Sequence, residues 1–270
     1  MLRNYCAMQA LKIFMLLLLL GCNSKSQKKE VLISNVNTPE SLGTILFIVS
    51  NQHTYGNTDI NTSNHFAEIV LAYDVLINAN YNVDFVSPEG GAIPIGYLNT
   101  SDSIQKKYIY NFNFMNKLKN TKNPENINSA HYRAVYYGGG GAAMFGVPEN
   151  KKIQEITMNI YNNNGIVSAI CHGTAGIVNL KTKDGKYVYE GKQVNGFPDL
   201  FENKEAKYYE QFPFSIQETI KQRGGNFSYS KEGWDNYYKV DGRLITGQDP
   251  TAAASVAIKI IEALQKQNNQ

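Results

Sequence analysis

From Thr44 onward the chain switches between short unbroken apolar runs and longer stretches with apolar residues at helical spacing. Ile45-Leu46-Phe47-Ile48-Val49 is a run of the kind that forms a strand buried on both faces. Phe66 to Asn80 carries Ile69, Val70, Tyr73, Leu76 and Ile77 at helical spacing, which predicts a helix. Val83 to Val86 reads as a second strand, closed by Ser87-Pro88-Glu89-Gly90-Gly91, and Ser103 to Lys119 as a weaker helix. Ala134 to Tyr137 predicts a strand running into Gly138 to Gly141. A helix over Ile153 to Asn162, a strand over Ile166 to Ile170 and a helix over His172 to Leu180 follow. Thr182 to Gly191 reads as an inserted hairpin, Val194 to Phe197 as a strand and Phe214 to Gln222 as a helix. Lys239-Val240 and Arg243 to Thr246 bracket an Asp241-Gly242 turn, and a last helix runs from Pro250 through Leu264. This alternation predicts an α/β fold with a mostly parallel central sheet covered on both faces. Such sheets bind ligands beyond the carboxyl ends of their strands. Three strands deliver candidates to that edge: Asn51-Gln52-His53, the four glycines, and Cys171-His172.

Before Thr44 the pattern is different. Arg3 and Lys12 precede an apolar run, Leu16 to Leu20, that is too short to span a bilayer but suits the core of a signal peptide. Leu19-Leu20-Gly21-Cys22 resembles the lipobox of bacterial lipoproteins, in which the cysteine is lipidated and becomes the mature N-terminus. Residues 1–21 are therefore read as a signal peptide, 22–43 as a polar tether and 44–266 as the folded domain. The expected location is the bacterial cell envelope, with a membrane contact through lipid on Cys22; plain secretion is the alternative. Hydrophobic residues make up 43% of the chain and charged residues 18%, ordinary values for a globular protein. The net charge of +3 falls to +1 without residues 1–21, and no basic stripe points to nucleic acid.

Charge and processing leave one cysteine to explain. Cys6 lies in the signal peptide and Cys22 carries the lipid, so Cys171 has no intramolecular disulfide partner. Paired-cysteine zinc sites are excluded on the same count. His53, His65 and His131 show no HxH or HExxH spacing, so no metal is expected. Cys171 ends an apolar run and precedes His172-Gly173-Thr174-Ala175-Gly176, the layout of a strand, a sharp turn and a helix. A thiol on such a turn is presented as a nucleophile, and a helix N-terminus would hold its pKa below the free value of roughly 8.5. A buried structural cysteine is the competing reading. Gly138 to Gly141 suit an oxyanion hole, because glycines let backbone N–H groups approach a ligand closely. A phosphate cradle is the alternative, although the Lys-Ser/Thr of a P-loop does not follow. Candidate donors are Gly139, Gly140, Gly141 and Gly173, with the His172 N–H.

Three strings in this order carry a family resemblance: AICHG after a strand, the glycine turn before Met144-Phe145, and DGRLITGQDPTAA near the C-terminus. The chain resembles the ThiJ/PfpI superfamily, within the class I glutamine amidotransferase-like proteins, and most closely its glyoxalase III/heat-shock-chaperone-like branch. The resemblance covers Thr44 to Leu264. It implies a flavodoxin-like three-layer sandwich, a nucleophile at Cys171, His172 beside it, and no cofactor. The family's acidic residue on the first helix matches Glu68, where it contacts the thiol and moves protons. A second family carboxylate matches Glu202 in Gly196-Phe197-Pro198-Asp199-Leu200-Phe201-Glu202 and would orient His172. Two positions depart from the pattern. Gly140-Gly141-Ala142 stands where relatives commonly carry Gly-His-Gly, and Ala72 where they often carry Pro.

The activity implied is that of a glutathione-independent glyoxalase. A small reactive carbonyl, methylglyoxal or a related 2-oxoaldehyde, would be converted to a 2-hydroxy acid, with protein deglycation as a related outcome. A cysteine amidohydrolase or peptidase of the same superfamily is the second reading. A holdase chaperone or thiol redox sensor is the third. Relatives often form dimers, so a homodimer is a further expectation of the resemblance.

Overall fold

The computed structural model describes residues 41–269. Six strands form the central sheet: β1 Thr44–Ile48, β2 Asn82–Val86, β3 Tyr132–Tyr137, β4 Ile166–Ile170, β5 Tyr238–Asp241 and β6 Leu244–Gly247. Their order is β2-β1-β3-β4-β6-β5, parallel throughout except for β5, which pairs antiparallel with β6. The first four strands reproduce the doubly wound order of a flavodoxin-like sandwich. The fold class read from the alternating pattern is the one observed.

Side-chain alternation along each strand divides two cores. Ile45 and Phe47 of β1 and Tyr136 of β3 face α1 Phe66–Asn78 and α6 Ala253–Asn268. Leu46 and Ile48 of β1 and Val135 and Tyr137 of β3 face α4 Lys151–Asn162 and α5 Ile216–Gln222. Two shorter helices, α2 Ser103–Ile109 and α3 Phe112–Lys119, extend the first core through Tyr108, Phe114 and Leu118. Because helices cover both faces, the inner strands are buried at most positions and largely apolar, which is why they read as nearly unbroken runs.

Several elements differ from the sequence-based expectation. The helix expected over Ser103 to Lys119 is two helices. Asn111 breaks it by capping the second, its Oδ1 accepting from the Phe114 N–H at 3.0 Å. The segment after Cys171 is a 3₁₀ helix, Cys171–Ile177, rather than an α-helix reaching Leu180. Gly173 sits hard against the β3 backbone there: an added Cβ would lie 2.3 Å from the Tyr137 carbonyl oxygen. Thr182 to Gly191 has one antiparallel bridge, Lys181 with Tyr187, around a tight turn and forms no ladder. Gln193–Val194 pairs with Asn226–Phe227 away from the main sheet. The stretch expected to be a signal peptide, the expected lipidation site Cys22 and almost all of the expected tether lie outside the described residues.

Phe47 is fully buried, its ring 4.5 Å from Tyr136 and 5.4 Å from Phe85. Phe47→Ala would open a cavity at the sheet centre. The expected loss is about 3–5 kcal/mol of unfolding free energy, read by urea titration.

Candidate active site

Cys171 leaves β4 with φ +55°, a left-handed conformation rarely adopted by residues other than glycine. That turn is the nucleophile elbow, and it sets the thiol at the carboxyl edge of the sheet beside the glycine turn that leaves β3. The side chain is 3% exposed. Its Sγ lies 3.5 Å from His172 Nδ1, and His172 Nε2 lies 2.8 Å from Glu202 Oε1. With Nε2–H donating to the carboxylate, Nδ1 is the free lone pair and faces sulfur. The imidazole is further fixed by the Phe197 ring at 4.7 Å and the Phe212 ring at 5.4 Å. Asp199, on the loop that carries Glu202, is pinned by the Ser215 hydroxyl, which donates to its carboxylate at 2.8 and 2.9 Å.

Glu68 approaches the thiol from α1 and is fully buried. Its Oε2 accepts from the Gly139 N–H at 2.8 Å, and its carboxyl interacts directly with Cys171. The close approach depends on glycine at 139. A Cβ there would lie 2.5 Å from Glu68 Oε2 and 2.9 Å from Cys171 Cβ. Gly140, at φ +95°, is as constrained, with Ser63 carbonyl oxygen 2.4 Å from an added Cβ. Gly141 abuts the Tyr55 hydroxyl and Thr62 Oγ1 in the same way.

Burial pushes the Glu68 pKa up to about 8, opposed by its hydrogen bonds with Cys171 and Gly139 and reinforced by Asp249. The expected depression of the thiol pKa is reversed: burial first, then the nearby Glu68 charge, push Cys171 well above its ordinary value. The His172 N–H, bonded to the sulfur, pulls the other way. A short 3₁₀ turn and a buried sulfur beside a carboxyl outweigh any helix-end effect. The thiol and Glu68 therefore titrate as a pair.

The structure brings Cys171, His172, Glu68 and Glu202 together. It also corrects one donor: the Gly139 N–H is occupied by Glu68 and is not free for an oxyanion. Gly173 packs on Tyr137. Sequence reasoning gave His65 little weight and passed over Tyr55, Thr62, Tyr97 and Asp249. His65 stacks on Tyr97 with ring centroids 4.6 Å apart, and the Tyr97 hydroxyl hydrogen-bonds with Tyr55. Asp249 lies within the DGRLITGQDPTAA string, whereas Tyr55, Thr62, His65 and Tyr97 carry no local motif and come from loops and short strands. Trp234 packs on Phe197 and Phe201, and its backbone N–H donates to Asp249 Oδ2 at 2.8 Å. No group of three or more metal-ligating side chains assembles among the described residues.

A model of the DJ-1/PfpI family matches residues 63–263, the span that holds Glu68, the glycine turn, Cys171, His172 and Glu202. The chain belongs to the DJ-1/PfpI family. It is 30% identical over 220 residues to the glutathione-independent glyoxalase hsp3102 of Schizosaccharomyces pombe, covering 76% of this chain and 90% of that protein. The glutathione-independent glyoxalase HSP31 of Saccharomyces cerevisiae is 28% identical over 233 residues, with 82% and 97% covered. Among solved structures, the Rapid Encystment Protein of Francisella tularensis superposes with a TM-score of 0.77 at 30% identity, covering 83% of this chain and 99% of that one. Glyoxalase III of Candida albicans shares the fold, at a TM-score of 0.76 and 24% identity over 83% of this chain and 98% of that one. The thiol on this elbow thus lies between the Glu68 carboxyl and the His172 imidazole.

The raised Glu68 pKa has a sign that can be measured. Folded Glu68 titrates near 8 against its ordinary 4.5, so the folded state holds the extra proton between those values. Its contribution to stability is full below the lower value and is lost as pH rises through the upper one. Glu68→Gln should lose less unfolding free energy than the parent between about pH 5 and about pH 8.5, read by urea titration. Equal losses in both proteins would show that Glu68 is not the buried acid.

Proposed function

We propose that the protein is a glutathione-independent glyoxalase that converts methylglyoxal and related 2-oxoaldehydes to 2-hydroxy acids. One observation carries the reading: a buried carboxyl, held protonatable near neutrality, touches the same thiol that an oriented imidazole faces. Internal redox transfer between adjacent carbons needs a nucleophile and a group that can take and return a proton, and both are present. The names of the yeast relatives point the same way.

The Cys171 thiolate adds to the aldehyde carbon. A C–S bond forms, and the carbonyl electron pair becomes an alkoxide that is then protonated to a hemithioacetal. With the Gly139 N–H occupied by Glu68 and the His172 N–H turned to the sulfur, Gly140 and Gly141 are the backbone donors assigned to that oxygen. His172 or Glu68 removes the proton from the former aldehyde carbon, giving an enediol, and a proton is returned to the neighbouring carbon. The first carbon is oxidised by the electron pair that reduces the second, so no external oxidant or cofactor takes part. The product is a thioester of a 2-hydroxy acid. Water adds to it, the C–S bond breaks, and the thiol regains its proton. Glu202 keeps His172 in one tautomer through these transfers.

The purified, reduced protein should form lactate from methylglyoxal without glutathione. Cys171→Ala should abolish turnover, and Glu202→Gln should lower kcat about 10²-fold or more while leaving the fold intact by circular dichroism. Undiminished lactate from Cys171→Ala would overturn the assignment. Release of amine from amides, with no action on 2-oxoaldehydes, would replace it with the amidohydrolase reading.

The same proposal places the enzyme at the bacterial cell envelope through lipid on Cys22, supported by Leu19-Leu20-Gly21-Cys22 after an apolar run. Cells expressing the full chain should incorporate labelled palmitate into it, and Cys22→Ala should lose the label and leave the membrane fraction. Label retained in Cys22→Ala would reject the anchor.

A further inference from the structure

Residues 230–237 form a surface loop that two fully buried side chains, Gln248 and Asp249, hold in place. Gln248 Oε1 accepts from the Ser230 N–H at 2.8 Å, and its Nε2 donates to the Ser230 carbonyl at 3.2 Å. Asp249 Oδ2 accepts from the Trp234 N–H at 2.8 Å, and its Oδ1 accepts from the Thr251 N–H and hydroxyl at 3.0 and 2.6 Å. The Thr251 hydroxyl oxygen in turn accepts from the Asn236 N–H at 2.9 Å. Gln248 and Asp249 directly follow β6, whose last residue, Gly247, pairs with Ile170 just before Cys171. The loop is thus registered on the same sheet edge as the elbow.

Within the loop, Gly233, Trp234 and Asn236 have left-handed backbones, at φ +65°, +48° and +60°. For Trp234 that conformation is strained, and it persists because the buried anchors over-determine it. It places the chain's one tryptophan, 57% exposed, on two rings next to the reaction centre. The indole lies 5.2 Å from the Phe201 ring and 6.4 Å, edge-to-face, from the Phe197 ring. Phe201 also packs on Gly233, where an added Cβ would lie 2.7 Å from Phe201 Cζ. Phe197 stacks on His172 at 4.7 Å, and its N–H donates to the Cys171 carbonyl at 3.2 Å. Phe201 immediately precedes Glu202, whose Oε1 holds His172 Nε2 at 2.8 Å. One indole therefore bears on both groups that orient the imidazole.

We infer that Trp234 is a positioning residue, which fixes the plane of the His172 imidazole through Phe197 and the aim of the Glu202 carboxylate through Phe201. The inference rests on the glyoxalase reading only for its turnover measurements. An imidazole that faces sulfur at one nitrogen and a carboxylate at the other tolerates little rotation, since a turn of the ring breaks one contact or the other. Glu202 holds the ring at a single atom, and contact between ring faces is what restricts rotation about that hydrogen bond. Apolar cover for Phe201 would not by itself require a left-handed backbone, because an apolar side chain on a relaxed loop would serve. Asp249 is the anchor of the arrangement but a poor reporter of it. Its charge also bears on Glu68, so replacing it would disturb the reaction centre directly.

In the purified, reduced full chain, Trp234→Ala should lower kcat for methylglyoxal about tenfold and leave KM within about twofold of the parent, since a misaimed proton-transfer group slows chemistry without loosening substrate. Trp234→Phe keeps an aromatic ring on Phe201 and should recover most of that loss. In a Glu202→Gln background, Trp234→Ala should cost less than about threefold, because residues that act on one target are not additive. Losses that multiply in the double variant, a raised KM at unchanged kcat, or no recovery in Trp234→Phe overturns the inference and leaves the glyoxalase reading standing. Trp234→Leu, apolar but without a ring, gives the same comparison where circular dichroism shows the alanine variant unfolded. If the folded parent turns over no 2-oxoaldehyde, the glyoxalase reading fails alone, and alkylation of Cys171 by iodoacetamide, followed on its own peptide by mass spectrometry, decides the inference. Slower alkylation in Trp234→Ala supports it, because His172 no longer takes the thiol proton; unchanged or faster alkylation overturns it.

Discussion

The site depends on the burial of one carboxyl against one thiol. Glu68 has no exposed surface, and the Gly139 N–H holds one of its oxygens. The space it occupies exists only because residue 139 lacks a Cβ. Removing a carboxylate from water disfavours its charged form, so the proton that ionisation of the thiol releases has a nearby place to stay. A single charge shared between sulfur and carboxyl costs less than two charges side by side, and that coupling makes the pair suited to moving protons. The elbow, the glycine turn and the first helix are all arranged around it.

The sheet supplies the rigidity that this coupling needs. Strands β1, β3 and β4 are adjacent and parallel, so their carboxyl ends open on one edge. A strained φ at Cys171 persists because β4 is buried along its whole length and cannot relax to relieve it. Two cores, one on each face, fix the helices that carry Glu68 and the loops that carry Glu202. The aromatic rings of Phe197 and Phe212 then restrict His172 to one plane. Precision at the thiol is thus inherited from packing well away from it.

Around that centre, the loops have a different character. Tyr55, Thr62, His65 and Tyr97 come from segments without long regular elements, and they are held by side-chain hydrogen bonds such as those of Asn64. The Tyr55 hydroxyl and Thr62 Oγ1 stand against the glycine turn at Gly141. Loops of this kind, carried on a rigid sheet, are where a fold varies its contacts while its framework stays fixed.

The sequence alone determined the sheet and the sharp turn that carries Cys171. Apolar runs buried on both faces are local signals, so Ile45 to Val49 and Ile166 to Ile170 could be read directly, as could the elbow at Cys171. The resemblance of short motifs supplied Glu68 and Glu202. What the sequence could not carry was anything set by distance. The break at Asn111 follows from a cap chosen over helix continuation, and the 3₁₀ turn after Cys171 from glycines pressed on Tyr137. The thiol's environment was misjudged because a helix end is visible in a sequence and burial beside a carboxyl is not. Tertiary structure alone decided that His172 faces sulfur, that the Gly139 N–H is spent on Glu68, and that Tyr97 stacks on His65. Each is a contact between residues far apart in the chain or a choice of side-chain direction, and such choices are made by packing.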